Sequence, residues 1–209
     1  MSEKTQKAHR RPRSDGERSR ATILSAAGKL ATVDGLDGLT IGRLADHIGM
    51  SKSGLYAHFG SKEELQLATI GHAEEVFDDD VILPAEQVES GLPRLDAYCE
   101  HFMSHVQSAV FPGGCFFVSA ITEFDARPGN LRDRIATYIG GWTGRLRAEV
   151  VAAQEQGDLD PAGDPDQLVF EVQSALVLSN ILYVLSEDPG VFERARAAIS
   201  SRIASARRN

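Results

Sequence analysis

The side chains between residues 51 and 62 that could do chemistry are hydrogen-bond donors. Lys52 and Ser53 follow Ser51 directly, and Gly54, Tyr56, His58 and Lys62 come after them. A lysine can donate to the acceptors of guanine, and a serine hydroxyl to several base edges. Gly54 lets the backbone come close to whatever is being read. Lys62 belongs to the run Ser61-Lys62-Glu63-Glu64, and a lysine in the exposed first turn of a helix, beside unpaired amides, suits a phosphate. Other reactive types occur without a pattern that would assemble them. His101 and His105 stand four apart, a spacing compatible with a metal, but no H-E-x-x-H pattern accompanies them. Cys99 and Cys115 form no metal-type spacing, no disulfide framework and no readable Cys–His pair. Glu123 and Asp125 read as caps or ion pairs rather than an acid/base pair. No glycine-rich phosphate loop is present. No catalytic residue, metal ligand or cofactor site is therefore assigned, and no enzyme is expected.

The elements that would carry the donors are two short helices with a tight corner. Thr40 is placed to cap the first, because its hydroxyl can accept from an orphan amide. Ile41, Leu44, Ala45 and Ile48 recur at helical spacing. Gly49 falls where the first helix must end in the left-handed region. Met50 turns inward, Ser51 caps the second helix, and Leu55 and Phe59 continue the buried side. Lys52, Ser53, Gly54, Tyr56, Ala57 and His58 are left outward. A helix, a glycine turn and a second helix with small, polar and basic outward residues is a helix-turn-helix pattern. Glycines and serines end helices everywhere, so this pattern alone leaves two ordinary packed helices as an equal reading.

The run Leu39-Thr40 and then Leu44 to Leu65, LADHIGMSKSGLYAHFGSKEEL, resembles the DNA-binding signature of the TetR family of bacterial transcription regulators. Gly49-Met50-Ser51, Leu55-Tyr56-x-His58-Phe59 and Ser61-Lys62-Glu63-x-Leu65 all fall in register. The resemblance covers about the first third of the chain. It implies that Ser51, Lys52, Ser53 and Gly54 open a recognition helix entering the major groove, while Thr40, Tyr56, His58 and Lys62 hold phosphates and set register. Many relatives carry Thr where this chain has Gly54. The stretch from Gly113-Gly114-Cys115 to Arg127-Pro128-Gly129 is similar to the start of the ligand domain in one subset of such regulators.

Charge is divided unevenly. The chain carries a formal −8. Residues 1–64 hold 11 Lys and Arg against 8 Asp and Glu, a net +3, and the remainder holds 11 against 22, a net −11. A basic end and an acidic body suit a protein that meets DNA at one end only. Residues 1–16, with Lys4, Lys7, Arg10, Arg11 and Arg13, read as a disordered basic arm. The N-terminus has no apolar core of a secretory signal, no apolar run looks long enough to cross a bilayer, and cysteine usage fits a reducing cytoplasm.

The whole reads as all-α, with about nine helices. Residues 17–64 form the helix-turn-helix domain, with a connector helix reaching about residue 80, and residues 81–209 form a ligand-binding and dimerisation domain. A first helix is expected from Glu17 to Val33, a connector from Ser61 to about Asp79, and a loop around Pro84. The body helices are expected over 92–110, 115–126, 131–156, 164–187 and 191–206. Phe102, Val106, Phe116, Phe117, Tyr138, Trp142 and Phe170 concentrate in this body and are candidates for an apolar small-molecule pocket. The helix from Asp164 to Glu187 is apolar on more than one side, so the last two helices (about 165–206) are expected to pair with those of a second copy, as the resemblance implies. The expected partners are thus a palindromic double-stranded operator, a homodimer mate and an unidentified small apolar or aromatic effector that releases the repressor. The rival readings are a helical small-molecule-binding protein or enzyme with a vestigial helix-turn-helix, and a DNA binder that answers to no effector.

Overall fold

The computed structural model describes residues 15–207. Lys4, Lys7, Arg10, Arg11 and Arg13 of the expected basic arm lie outside the described residues. Among those described there is no strand, and nine helices run to eight residues or more: α1 (Asp15–Asp34), α2 (Ile41–Ile48), α3 (Lys52–Phe59), α4 (Lys62–Phe77), α5 (Leu92–Gln107), α6 (Phe116–Phe124), α7 (Asn130–Gln156), α8 (Pro165–Ser186) and α9 (Gly190–Ser205). Their boundaries follow local chemistry. Thr40, Ser51, Ser61 and Asp164 each cap the following helix through a side-chain oxygen that accepts from its first turn, satisfying a donor the helix cannot. Pro165 occupies the first turn of α8, where its missing N–H costs nothing.

The connector departs from the expected form. Where a loop around Pro84 was anticipated, α4 passes into a π-helical turn, Asp78–Ile82, and then a short helical piece, Leu83–Ala85. Pro84 sits in the first turn of that piece, which tolerates it. The apolar residues Val81, Ile82 and Ala85 hold the segment down by burial.

α1 to α3 form a small head, and α4 joins it to the body. α4 packs on α1 and α3 on one side and on α7 on the other. The buried side chains form one continuous cluster, from Ile23 and Leu24 in α1 through Leu65, Ile70 and Phe77 in α4 to Ile199 and Ile203 in α9. In the head Ile23, Leu24, Ala27, Leu39, Leu44, Leu55 and Phe59 are buried, with Leu30, Ile41, Ile48 and Met50 packed against them.

α8 corrects one expectation. It is long and apolar enough, by length and composition, to cross a membrane. Gln173, Ser174, Ser179 and Asn180 interrupt its apolar run without lowering its average enough to disqualify it. In the fold it packs on α7, α5 and α9, and buries Ser179 and Asn180 with partners: Ser179 Oγ donates to the Leu176 carbonyl, and Asn180 Oδ1 accepts from the Cys115 amide at 2.8 Å. Its other face stays open. Phe170, Val177, Leu178, Ile181 and Leu185 are exposed there.

Candidate nucleic-acid interface and effector cavity

The outward residues of α3 are those anticipated. Leu55 and Phe59 are buried, while Lys52, Ser53, Tyr56, Ala57 and His58 are exposed and Gly54 is half-buried. The corner is built by Gly49, whose φ of +70° is the left-handed region that a side chain opposes. Ser51 Oγ accepts from the Gly54 amide at 3.1 Å and lies 3.4 Å from Ser53 Oγ. A Cβ on residue 54 would stand 3.0 Å from Ser51 Oγ, so a side chain there would crowd the cap. Thr40 Oγ1 accepts from the Arg43 amide at 3.1 Å, which leaves its hydroxyl proton available to an acceptor. Lys52 Nζ is 3.8 Å from Asp46, with both side chains mostly exposed, a pair weak enough to give way to a stronger acceptor.

Two features of the head were not readable from the sequence. Arg20 of α1 donates to the His58 carbonyl at 3.1 Å and lies 4.7 Å over the Phe59 ring, so α1 holds the C-terminal end of α3 by a hydrogen bond and a cation–π contact. Lys62 does not stand free at the start of α4. Its Nζ is 2.9 Å from Asp37 Oδ1, and Arg127 meets the other oxygen of Asp37 at 3.1 Å. The Lys62 ammonium, then the Arg127 guanidinium, hold the Asp37 carboxyl below the usual carboxylate range. These contacts span 25 and 90 residues, which no local pattern records.

The aromatic residues of the body do enclose a cavity. It measures about 110 Å³ and lies between the end of α4 (Phe77), α5 (Phe102), α6 with the residue before it (Cys115, Phe117, Val118, Ile121, Thr122), α7 (Tyr138, Ile139, Trp142) and α8 (Gln173, Leu176, Val177). Phe77 is its centre of packing, edge-on to Phe102, Phe117, Tyr138 and Trp142 at 5.3–6.2 Å between ring centres. Phe117 stacks on Tyr138 at 4.3 Å. Three polar side chains of the wall are already engaged. Tyr138 donates to Asp78 at 2.8 Å, Thr122 to the Ser119 carbonyl at 2.8 Å, and Gln173 to the Thr143 hydroxyl at 3.1 Å. Burial, and then the bond to Asp78, push the Tyr138 phenol upward, so it stays neutral.

Four of the seven anticipated pocket residues line this space: Phe102, Phe117, Tyr138 and Trp142. Val106 and Phe116 are buried in the core beside it. Phe170 is on the open face of α8, 67% exposed, and does not line the cavity of its own chain. A helix apolar all round gives no sequence signal as to which side faces inward, and Phe170 was misplaced for that reason. Phe77, Ile121, Gln173 and Val177 were missed because a wall made of five helices has no single period.

Neither cysteine is poised to react. Full burial pushes the Cys115 thiol up to about 11. Cys99 also moves upward, by burial first and then by nearby Asp96. His105 is buried with its Nδ1 2.9 Å from Asp80 and packs edge-on to Phe77. Among the described residues no group of His, Cys, Asp and Glu could hold a metal ion.

A small capped head whose second short helix presents an exposed polar face, on an all-helical body with an apolar cavity, is the build of a helix-turn-helix regulator. The chain belongs to the TetR family. The family model for bacterial regulatory proteins, tetR family, matches residues 23–69, and that for the tetracyclin repressor-like C-terminal domain matches residues 91–199, more than half of the 209. The fold is similar to the crystal structure of a TetR transcriptional regulator from Chloroflexus aurantiacus, with a TM-score of 0.82, 25% identity, and 90% of this chain and 96% of that one covered. It is also similar to AibR in complex with isovaleryl coenzyme A and operator DNA (0.69, 21%, 87% and 97%). A third likeness is to the ketosteroid transcriptional regulator KstR2 of Mycobacterium tuberculosis (0.65, 16%, 91% and 96%). No curated protein matches the chain. It is a transcription regulator, and the readings with a vestigial helix-turn-helix are not favoured.

The burial of both thiols sets an expectation. At pH 8 the native protein should react with dithionitrobenzoate only slowly, and both cysteines promptly once denatured, as followed by release of the coloured thiolate. A fast thiol in the native protein would mean that Cys115 is reachable through the cavity.

Proposed function

We propose that this regulator is a homodimeric repressor that leaves its operator when a small, neutral, apolar molecule fills the cavity between α4 and α8. The observation that carries this reading is the cavity wall, which holds no charged side chain, whose Tyr138, Thr122 and Gln173 have partners within the chain, and whose remaining surface is mostly aromatic and aliphatic. A charged occupant would be desolvated there without a counter-ion. Size narrows the class further. An apolar cavity of about 150 Å³ stays dry and takes benzene, so about 110 Å³ suits an occupant on that scale unless the wall yields. Ile121 and Val177, both on the wall, are 39% and 40% exposed and form the side most able to yield.

The reading head comprises residues 17–64, with α4 and its extension as connector, and residues 81–209 are the effector and dimer domain. Ser51, Lys52, Ser53 and Gly54 enter the major groove, with Thr40, Tyr56, His58 and Lys62 on phosphates. The acidic body is kept off the duplex by its own charge. One reading helix gives too few contacts for a specific site, so two heads must face half-sites about 34 Å apart. The open stripe of α8, with Phe170, Ser174, Val177, Leu178, Ile181 and Leu185 three or four residues apart, supplies the apolar surface for that pairing. α9 offers small exposed residues alongside, Ala197, Ala198, Ser201 and Ala204. The protein works where the DNA is, in the cytoplasm.

For the DNA contacts, an operator selected from genomic fragments is titrated against variants by fluorescence anisotropy. Lys52→Ala should cost about 1–3 kcal/mol on that operator and relax its base preference, whereas Lys62→Ala should weaken every duplex alike and lower the salt slope by about one. Equal losses on all sequences for Lys52→Ala would remove it from base reading. For dimerisation, Ile181→Glu places a charge in the stripe and should give monomers in sedimentation at micromolar concentration. A persisting dimer would place the interface elsewhere. For the effector, Trp142 is the only tryptophan and lines the cavity, so iodobenzene should quench its fluorescence saturably, and Val118→Phe, which fills the space, should abolish the saturable part. Purely linear quenching would count against an open cavity.

A further inference from the structure

α6 faces two ways. Phe117, Val118, Ile121 and Thr122 lie on the cavity. The next residue, Glu123, turns to the other side and reaches the turn between α1 and α2, 86 and 87 residues away in sequence. Its Oε2 accepts from the Leu36 amide at 2.7 Å and its Oε1 from the Asp37 amide at 2.8 Å. One carboxylate thus takes two successive amides, a charge-assisted pair of bonds with little freedom in either group. The turn is shaped for it. Gly35 has a φ of +83°, and a Cβ there would stand 3.0 Å from Glu123 Oε1.

The same turn is tied to the DNA-contacting side. Leu36 is buried, and its carbonyl accepts from Gln66 of α4 at 2.6 Å. Asp37 holds Lys62, and Thr40, the cap of α2, is three residues further on. α1 also packs directly on α6.

We infer that Glu123 is the positioning residue that couples the cavity to the reading head. The inference rests on the effector reading of the cavity given above. An occupant that presses on Val118 and Ile121 moves α6, and the carboxylate draws the Leu36–Asp37 turn with it. Thr40 and Lys62, both anchored at that turn, then shift relative to the phosphates they hold. Glu123 touches neither occupant nor DNA and acts through the turn alone. A displacement of about 1 Å is enough, since it takes a bond of 2.7 Å to the limit of hydrogen bonding.

The test uses the full chain, with Glu123→Gln, which keeps one acceptor oxygen, and Glu123→Asp, which keeps the charge but withdraws it by one methylene. Iodobenzene is the probe, and Trp142 quenching reports its occupancy. Amide exchange of the 34–38 segment and operator affinity are read with and without it. In the wild type the probe should speed exchange of the Leu36 and Asp37 amides, and should weaken operator binding by roughly 5–150-fold. In both variants quenching should stay within about twofold of wild type. Exchange in the turn should be about tenfold faster from the start, and the probe should no longer change it or the operator affinity.

Two results would overturn the inference. One is a turn that, at saturating quenching, does not respond in the wild type. The other is either variant keeping the wild-type response, since the clamp geometry would then not be what transmits. If the turn responds through Glu123 while operator affinity does not change, the clamp stands and the effector reading fails.

Discussion

A reading helix of eight residues can be no more rigid than what it rests on, and its own domain offers little. α1, α2 and α3 together bury too few apolar side chains to balance the conformational entropy of ordering them. The buried cluster therefore does not stop at the head. It continues through Leu65, Ile70 and Phe77 of α4 into the body. The same residue that ends α4 in the core, Phe77, is the centre of the cavity wall. The head is stable because it shares a core with the body, and for that reason it cannot be indifferent to what happens there. Polar contacts reinforce the junction, with Glu123 and Arg127 on one side of the turn and Gln66 and Lys62 on the other.

The second constraint is that an all-apolar helix needs cover on every side. α8 gives one side to α5, α7 and α9 and leaves the other open. Val177 belongs to both, since it lines the cavity and lies on the open stripe. A second copy seated on the stripe would therefore lie against the mouth of the cavity. In the proposed dimer, pairing and effector entry are then not independent, because the surface that stabilises one borders the other.

What the sequence showed and what it hid divide by distance along the chain. Thr40 and Ser51 were read as caps and Gly49 as a left-handed stop, and each is a matter of three or four neighbouring residues. The outward set of α3 was likewise local, given where Leu55 and Phe59 must go. The cavity was only partly visible. Phe117 and Tyr138 were correctly drawn to it, but Phe170 was included by its aromatic type alone, and Phe77 was passed over because it sat at the end of a helix assigned to connection. Glu123 was read only as a cap or ion pair. Its actual role, as acceptor for two amides of a distant turn, depends on α1 and α6 lying side by side, which nothing in either segment announces. The loop expected at Pro84 failed for a related reason. Burial of Val81, Ile82 and Ala85 outweighed a local breaker that is harmless in a first turn.

The size of the cavity limits how the proposed switch can work. An occupant shifts an equilibrium only by its difference in affinity for the two forms. Fully burying a group the size of a leucine or phenylalanine side chain is worth about 1.5–3 kcal/mol, and a cavity of about 110 Å³ holds little more than that. Carrying a population from 1:99 to 99:1 takes about 5.5 kcal/mol. One such occupant therefore cannot empty an operator by itself. Two can approach that figure if both cavities of a dimer answer to the same rearrangement, since their contributions then add. A rigid link from each cavity to its own head, together with a symmetric pair whose heads must be correctly spaced at once, meets that requirement with the small occupant the wall admits.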